Sequence, residues 1–298
     1  MCNLSGIKHY EFADISNNTA HAAVGLFWAD GCLCILFAVL GYFRYSWVRV
    51  LHYSICMSAT SNLPWVAFFT LTAISSTMNG LLFFLKKNEH HYGIVITGCI
   101  LNLCSILFLA FAVNYQWKHR EEAYDDLTNS LRTSETTPIL YDESRLISLM
   151  KHSKIDAIPL FIFVLSCGFF IAAWIKKRNN FFWLALSFKW CLQIVVFVSV
   201  LIIHCKTTVQ GPTVVVKCAL LAGVLFNSIS YIPSYIWLKC IFKYDDIVTG
   251  VFYDALVGLI ISSHIVFFFV MRAEFLRLKD VARWHVASRI HDLNPTEE

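Results

Sequence analysis

Charge is scarce in this chain. Of its 298 residues only 15% are Asp, Glu, Lys or Arg, against roughly 25% in soluble domains. A soluble globule of this length needs more than that to cover its surface. Helix-disrupting residues are scarce too, with 12 Gly and 6 Pro beside 25 Phe and 9 Trp. These counts exclude collagen-like and disordered chains. The motifs C-x-x-C, H-E-x-x-H, G-x-S-x-G and the P-loop are all absent, so zinc ribbons, thioredoxin-like sites and the common hydrolase and nucleotidase signatures are not read. No enzyme, cofactor or metal centre is therefore expected. The first twenty residues hold no apolar core, so the first span is expected to act as its own signal. Net charge is +4 with no basic domain, and nucleic acid is not expected as a partner. No repeat of 20 to 50 residues is evident.

What the chain has instead is long apolar runs, and 57% of it is apolar or aromatic, with mean hydropathy +0.60. A helix crossing hydrocarbon needs about 20 such residues. Seven stretches qualify, roughly 22–43, 64–85, 93–115, 157–175, 181–203, 213–236 and 250–271. The expected fold is an all-α, polytopic seven-helix membrane bundle. Pro64 marks a kink or the true start of the second span, and Pro233 bends or ends the sixth. Eight Cys lie within or beside these runs, where they read as small buried apolar residues. Cys2 and Cys240 are expected either to pair or to stay as free thiols.

Basic residues orient the bundle. With the N-terminus outside or lumenal and the C-terminus cytosolic, 14 Lys and Arg fall on the cytosolic side and 8 on the other. Lys176-Lys177-Arg178, on the outer side, runs against this bias. The segments are then a lumenal 1–21, spans 1–3 over 22–115, a cytosolic loop 116–156, spans 4–7 over 157–271, and a cytosolic tail 272–298. Phe275, Leu278, Ala282, Val286 and Ile290 line one face of that tail. It reads as an interfacial amphipathic helix or as a solvated continuation of span 7. Asn3-Leu4-Ser5 and Asn17-Asn18-Thr19 are glycosylation sequons at Asn3 and Asn17.

Charge inside the spans is costly, about 2.5–3.5 kcal/mol per group on insertion scales. The chain accepts it at Asp30, Lys189 and Asp254. At about 1.5 Å per residue the three lie at similar depth. Asn79, Asn102 and Asn227 reach the same layer. The expectation is a polar pocket in the lumenal half, with Lys189 paired to Asp30 or Asp254, that holds a small polar ligand or a lipid headgroup. The alternative is an ion pair that only fixes packing. His264, deeper on span 7, reads as a proton relay or as a donor to a backbone carbonyl. His90-His91 supplies only two ligands, too few for a metal site.

The 116–156 loop reads as an address. Glu135-Thr136-Thr137-Pro138-Ile139-Leu140 and Asp142-Glu143-Ser144-Arg145-Leu146-Ile147 resemble acidic dileucine signals. Tyr124-Asp125-Asp126-Leu127 resembles a tyrosine-based signal. Such extended peptides insert two apolar side chains into an adaptor groove. The resemblance implies clathrin adaptor complexes as partners and a lysosomal or late endosomal membrane as destination, the plasma membrane being the alternative.

Ile15-Ser16, Gly25-Leu26-Phe27, Phe43-Arg44-Tyr45, His91-Tyr92-Gly93 and Asp254 with Glu274-Phe275 together resemble the DRAM/Frag/Sfk family of autophagy-modulator membrane proteins. The likeness covers part of the chain. The family's first helix has no counterpart here, and the 116–156 loop is additional. The resemblance implies a lysosomal or Golgi membrane protein without catalytic residues. Three functions stay open: a protein that binds or moves a small polar solute or lipid, a non-transporting regulator of autophagy or membrane traffic, and an atypical seven-helix receptor. Against the receptor, span 3 ends in Asn114-Tyr115-Gln116 and span 7 lacks N-P-x-x-Y.

Overall fold

The computed structural model describes residues 21–45, 47–50, 55–58, 62–82, 93–114, 157–205, 214–228 and 246–293. Seven helices lie within them. They are α1 (His21–Tyr45), α2 (Leu63–Leu82), α3 (Gly93–Asn114), α4 (Ala157–Lys176), α5 (Asn179–Cys205), α6 (Val214–Ser228) and α7 (Asp246–Leu293). Between α1 and α2 two short strands, β1 (Trp47–Val50) and β2 (Ile55–Ser58), pair antiparallel with Val50 opposite Ile55. This hairpin is an addition to the all-helical expectation.

Five helices are long and apolar enough to cross a bilayer, over Val24–Tyr45, Gly93–Asn114, Ala157–Lys176, Asn180–Ile202 and Asp254–Arg277. The remaining two fall short for different reasons. α2 has the length but carries Thr70, Thr72, Ser75, Ser76, Thr77 and Asn79. α6 has the composition, but its helix covers only 15 described residues, against the 213–236 expected. Pro64 stands in the first turn of α2, where its missing N–H costs nothing. It therefore marks the start of the span and not a kink.

The side-chain distribution is that of a membrane bundle. Phe43, Ile175, Val215, Phe161 and Phe269 face outward and exposed, while Asp30, Lys189 and His264 are buried. Such an inversion is stable only where the surroundings are apolar. The chain thus has the helices of a multi-pass membrane protein.

Neighbouring helices associate along two hairpin-like pairs. α1 packs on α2 and α4 on α5, α7 contacts both α1 and α6, and α5 contacts α6. The α4–α5 turn is tight: Lys177 takes a left-handed φ of 48°, a common way to end a helix. Asn62 donates from Nδ2 to the carbonyl of Tyr45 at 2.7 Å, which ties the end of α1 to the start of α2. In lipid, helices gain little from apolar burial against each other, so close packing and hydrogen bonds carry the association. Gly31 brings α1 against Ala73 and Thr77 of α2, and Gly223 brings α6 against the Phe267 ring of α7.

An aromatic block fills the α1–α2–α7 junction. Phe37 stacks on Phe268 at 4.2 Å, Trp65 and Phe68 meet Phe267, Phe69 meets Phe268, and Trp65, Phe68 and Phe69 meet one another. Pairs of this kind contribute about 0.5–1.5 kcal/mol each beyond contact area. The block adjoins the polar centre through Phe68, whose ring meets that of His264. α7 runs without a break for 48 residues, roughly 72 Å. The tail is thus a direct continuation of the last span as far as Leu293, and Phe275 is buried against Tyr45 at 5.3 Å.

Candidate functional site

The polar centre begins with an i, i+4 pair on α1. Asp30 and Cys34 share one face of the helix, and both are fully buried. α7 crosses that face and presents His264, whose Nδ1 lies 2.7 Å from Asp30 Oδ1. From α2, Ser76 donates its hydroxyl to Asp30 Oδ2 at 2.6 Å. The Cys34 thiol lies 3.7 Å from Asp30 Oδ1 and 3.6 Å from His264 Nδ1. The carboxylate therefore has both oxygens engaged, and Phe68 closes edge-on against the imidazole at 5.8 Å.

This geometry fixes chemistry. With its Nδ1–H aimed at Asp30, the imidazole leaves Nε2 as its other nitrogen. Ser76 binds the carboxylate and not the imidazole, so its hydroxyl is not set up as a nucleophile in the manner of a hydrolase triad.

Beside this cluster is a small cavity of about 20 Å³, lined by Thr72, Ser75, Ser76, Asn79, Asn102, Ser105, Lys189, Gln193, Asn227, Ile260 and His264. That volume accommodates about one water molecule. Its walls come from α2, α3, α5, α6 and α7 and are polar on nearly every side. Hydrogen bonds brace them. Ser75 donates to the Gly98 carbonyl of α3 at 3.1 Å, Gln193 of α5 to the Asn227 carbonyl at 3.1 Å, and Asn227 of α6 to Ser263 of α7 at 3.4 Å. Lys189 is 7% exposed. Among the described residues no carboxylate forms an ion pair with it.

Four of the six residues expected to form a ligand site, Asn79, Asn102, Lys189 and Asn227, meet around this cavity. Asp30 joins them through Ser76 and His264. Asp254 does not: it is half-buried, outside the lining, with Oδ1 unpartnered among the described residues. The expected pairing of Lys189 with Asp30 or Asp254 is also corrected, since the partner of Asp30 is His264. The physical reason is depth. His264 lies ten residues, about 15 Å, further along α7 than Asp254. Cys34 was not among the expected site residues, and His264 was read as a proton relay or backbone donor and not as the partner of Asp30. The available signal was the four-residue spacing from Asp30 to Cys34. The sorting-signal residues Tyr124, Leu127, Glu135, Ile139, Leu140, Asp142, Leu146 and Ile147 lie outside the described residues, as do Asn3, Asn17, His90, His91, Cys2 and Cys240.

No family model, curated protein or solved structure matches this chain.

Proposed function

We propose that the chain is a seven-span endolysosomal membrane protein, N-terminus lumenal and C-terminus cytosolic, that binds or moves a small polar solute or lipid headgroup through the cavity at Lys189. The observation that carries this reading is the convergence of Lys189, Asn79, Asn102, Asn227 and Gln193 on one small polar cavity. An amine in hydrocarbon costs about 2.5–3.5 kcal/mol, and polar walls on five helices are more than packing requires. An anionic or carbonyl-bearing group would neutralise or accept from Lys189, while the amides would hold its remaining oxygens. At about 20 Å³ the cavity has room for about one water molecule, so uptake of any solute requires helices to part.

The test uses the purified full chain in detergent, with phosphate, small carboxylates and glycerophosphate as probes. Thermal unfolding of wild type should rise with one of these anions, by about 2.7 kcal/mol at a hundredfold excess over Kd. Lys189→Met should unfold at a higher temperature without anion, because the buried amine is gone, and should lose the anion effect. Wild type indifferent to every probe, or a Lys189→Met protein that keeps the full response, would sink the proposal. A second reading, a regulator of membrane traffic that moves nothing, draws support from the smallness of the cavity. It is the outcome if wild type and Lys189→Met are alike in every ligand assay.

A further inference from the structure

We infer that Asp30, Cys34 and His264 form a binding site for a divalent transition-metal ion of the zinc class. This goes beyond the solute reading and rests on different side chains. The three ligand atoms all lie within 4.8 Å of one another, and each residue is buried. They offer one oxygen, one sulfur and one nitrogen, a donor set suited to zinc or cobalt and not to magnesium or calcium.

The distances support it. Zinc bonds of about 2.3 Å to sulfur and about 2.0–2.2 Å to nitrogen or oxygen, at tetrahedral angles, place sulfur about 3.5–3.6 Å from the other two ligands. Cys34 Sγ is 3.6 Å from His264 Nδ1 and 3.7 Å from Asp30 Oδ1. The same bond lengths put nitrogen and oxygen about 3.4 Å apart, whereas His264 Nδ1 and Asp30 Oδ1 are 2.7 Å apart and hydrogen-bonded. One edge of the triangle therefore has to widen, by about 0.7 Å on those bond lengths. That edge is the one where a metal replaces a shared proton.

Charge balance favours the same assignment. A carboxylate and a thiolate together neutralise a divalent cation, which matters where net charge is expensive. Starting from a neutral imidazole, the ring takes its proton on Nε2, Nδ1 becomes the ligand, and the thiol proton is released, one per metal bound. Ser76, bonded to Asp30 Oδ2, holds the carboxylate from outside. The adjoining cavity, lined by Ser76 and His264, has room for one water as a fourth ligand.

The test is cobalt(II) binding to the full chain in lipid nanodiscs. Wild type should take up one cobalt per chain, with tetrahedral d–d bands and a thiolate-to-cobalt charge-transfer band. Cys34→Ser should lose the charge-transfer band and bind more weakly by more than the 10–100-fold that loss of an outer-shell partner costs. Ser76→Ala, which keeps all three ligands, should keep the spectrum and weaken binding by about 10–100-fold. No stoichiometric cobalt on folded wild type overturns the site, as does a charge-transfer band or an affinity that survives in Cys34→Ser. Should Cys34→Ser fail to fold, X-ray absorption of zinc-loaded wild type decides. One sulfur with two or three lighter ligands supports the site, and a shell with no sulfur or with several overturns it.

Discussion

Adding a single methyl group at Gly31 tests whether α1 is held against α2 as closely as described. A Cβ built there would lie 2.7 Å from Thr77 Oγ1 and 3.4 Å from the Ala73 carbonyl oxygen. The second contact is tolerable, but the first is about 0.7 Å short of ordinary contact, taken as 3.4 Å. Thr77 can withdraw only by turning its hydroxyl away from Ala73 O, to which it now donates at 2.8 Å. That bond lies within α2, between residues four apart, so losing it costs no more than the roughly 0.6 kcal/mol typical of bonds between membrane helices. If the helices separate instead, the overpacking cost is about 1–3 kcal/mol. Gly31→Ala should therefore destabilise the bundle by about 1–3 kcal/mol, and Thr77→Ala by about 0.6 kcal/mol or less. The double variant should cost little more than Thr77→Ala alone, because the obstructing atom is gone. Unfolding in mixed micelles by SDS, followed by the fluorescence of the nine tryptophans, gives all four corners of the cycle. Costs that add to within about 0.5 kcal/mol would show the two sites independent and refute the close approach. The neighbours on each helix, Asp30 and Ser76, share a 2.6 Å bond, so the same separation would disturb the polar centre.

Gly223→Ala makes the equivalent test at the α6–α7 contact. Its Cβ would meet the Phe267 ring at 2.7 and 3.0 Å, and that ring is fully buried with no room to yield. A cost of about 1–3 kcal/mol, partly recovered when Phe267→Leu is added, is expected in the same unfolding assay. No recovery would mean the ring is not the obstacle. In cells, replacing Ile139, Leu140, Leu146 and Ile147 together by Ala should move the tagged chain from lysosomal markers to the plasma membrane. An unchanged distribution would remove the loop as an address.

The membrane helices were legible because a run of about 20 apolar residues has few other uses. Pro64 also marked a real boundary, since a proline ring fits the first turn of a helix and disrupts later ones. The convergence of Asn79, Asn102, Lys189 and Asn227 could be anticipated for a related reason. Polar side chains within a span turn inward, and the rise per residue sets their depth. The choice of partner was not legible. Which acid meets which base depends on how far each helix is rotated and where its span begins. Cys34 was read as apolar filler because most cysteines in such runs are. Its carboxylate neighbour, Asp30, lies four residues back on α1, but only the crossing of α7 over α1, a relation between residues more than two hundred positions apart, adds the imidazole.

The unbroken course of α7 has a mechanical consequence. Beyond Phe275, which is buried against Tyr45, the helix forms a rod of roughly 27 Å to Leu293. A tilt of about 5° at that last contact would swing the far tip by about 2 Å, simply from the length of the arm. Any event that lets the helix tilt there is thereby magnified at its far tip.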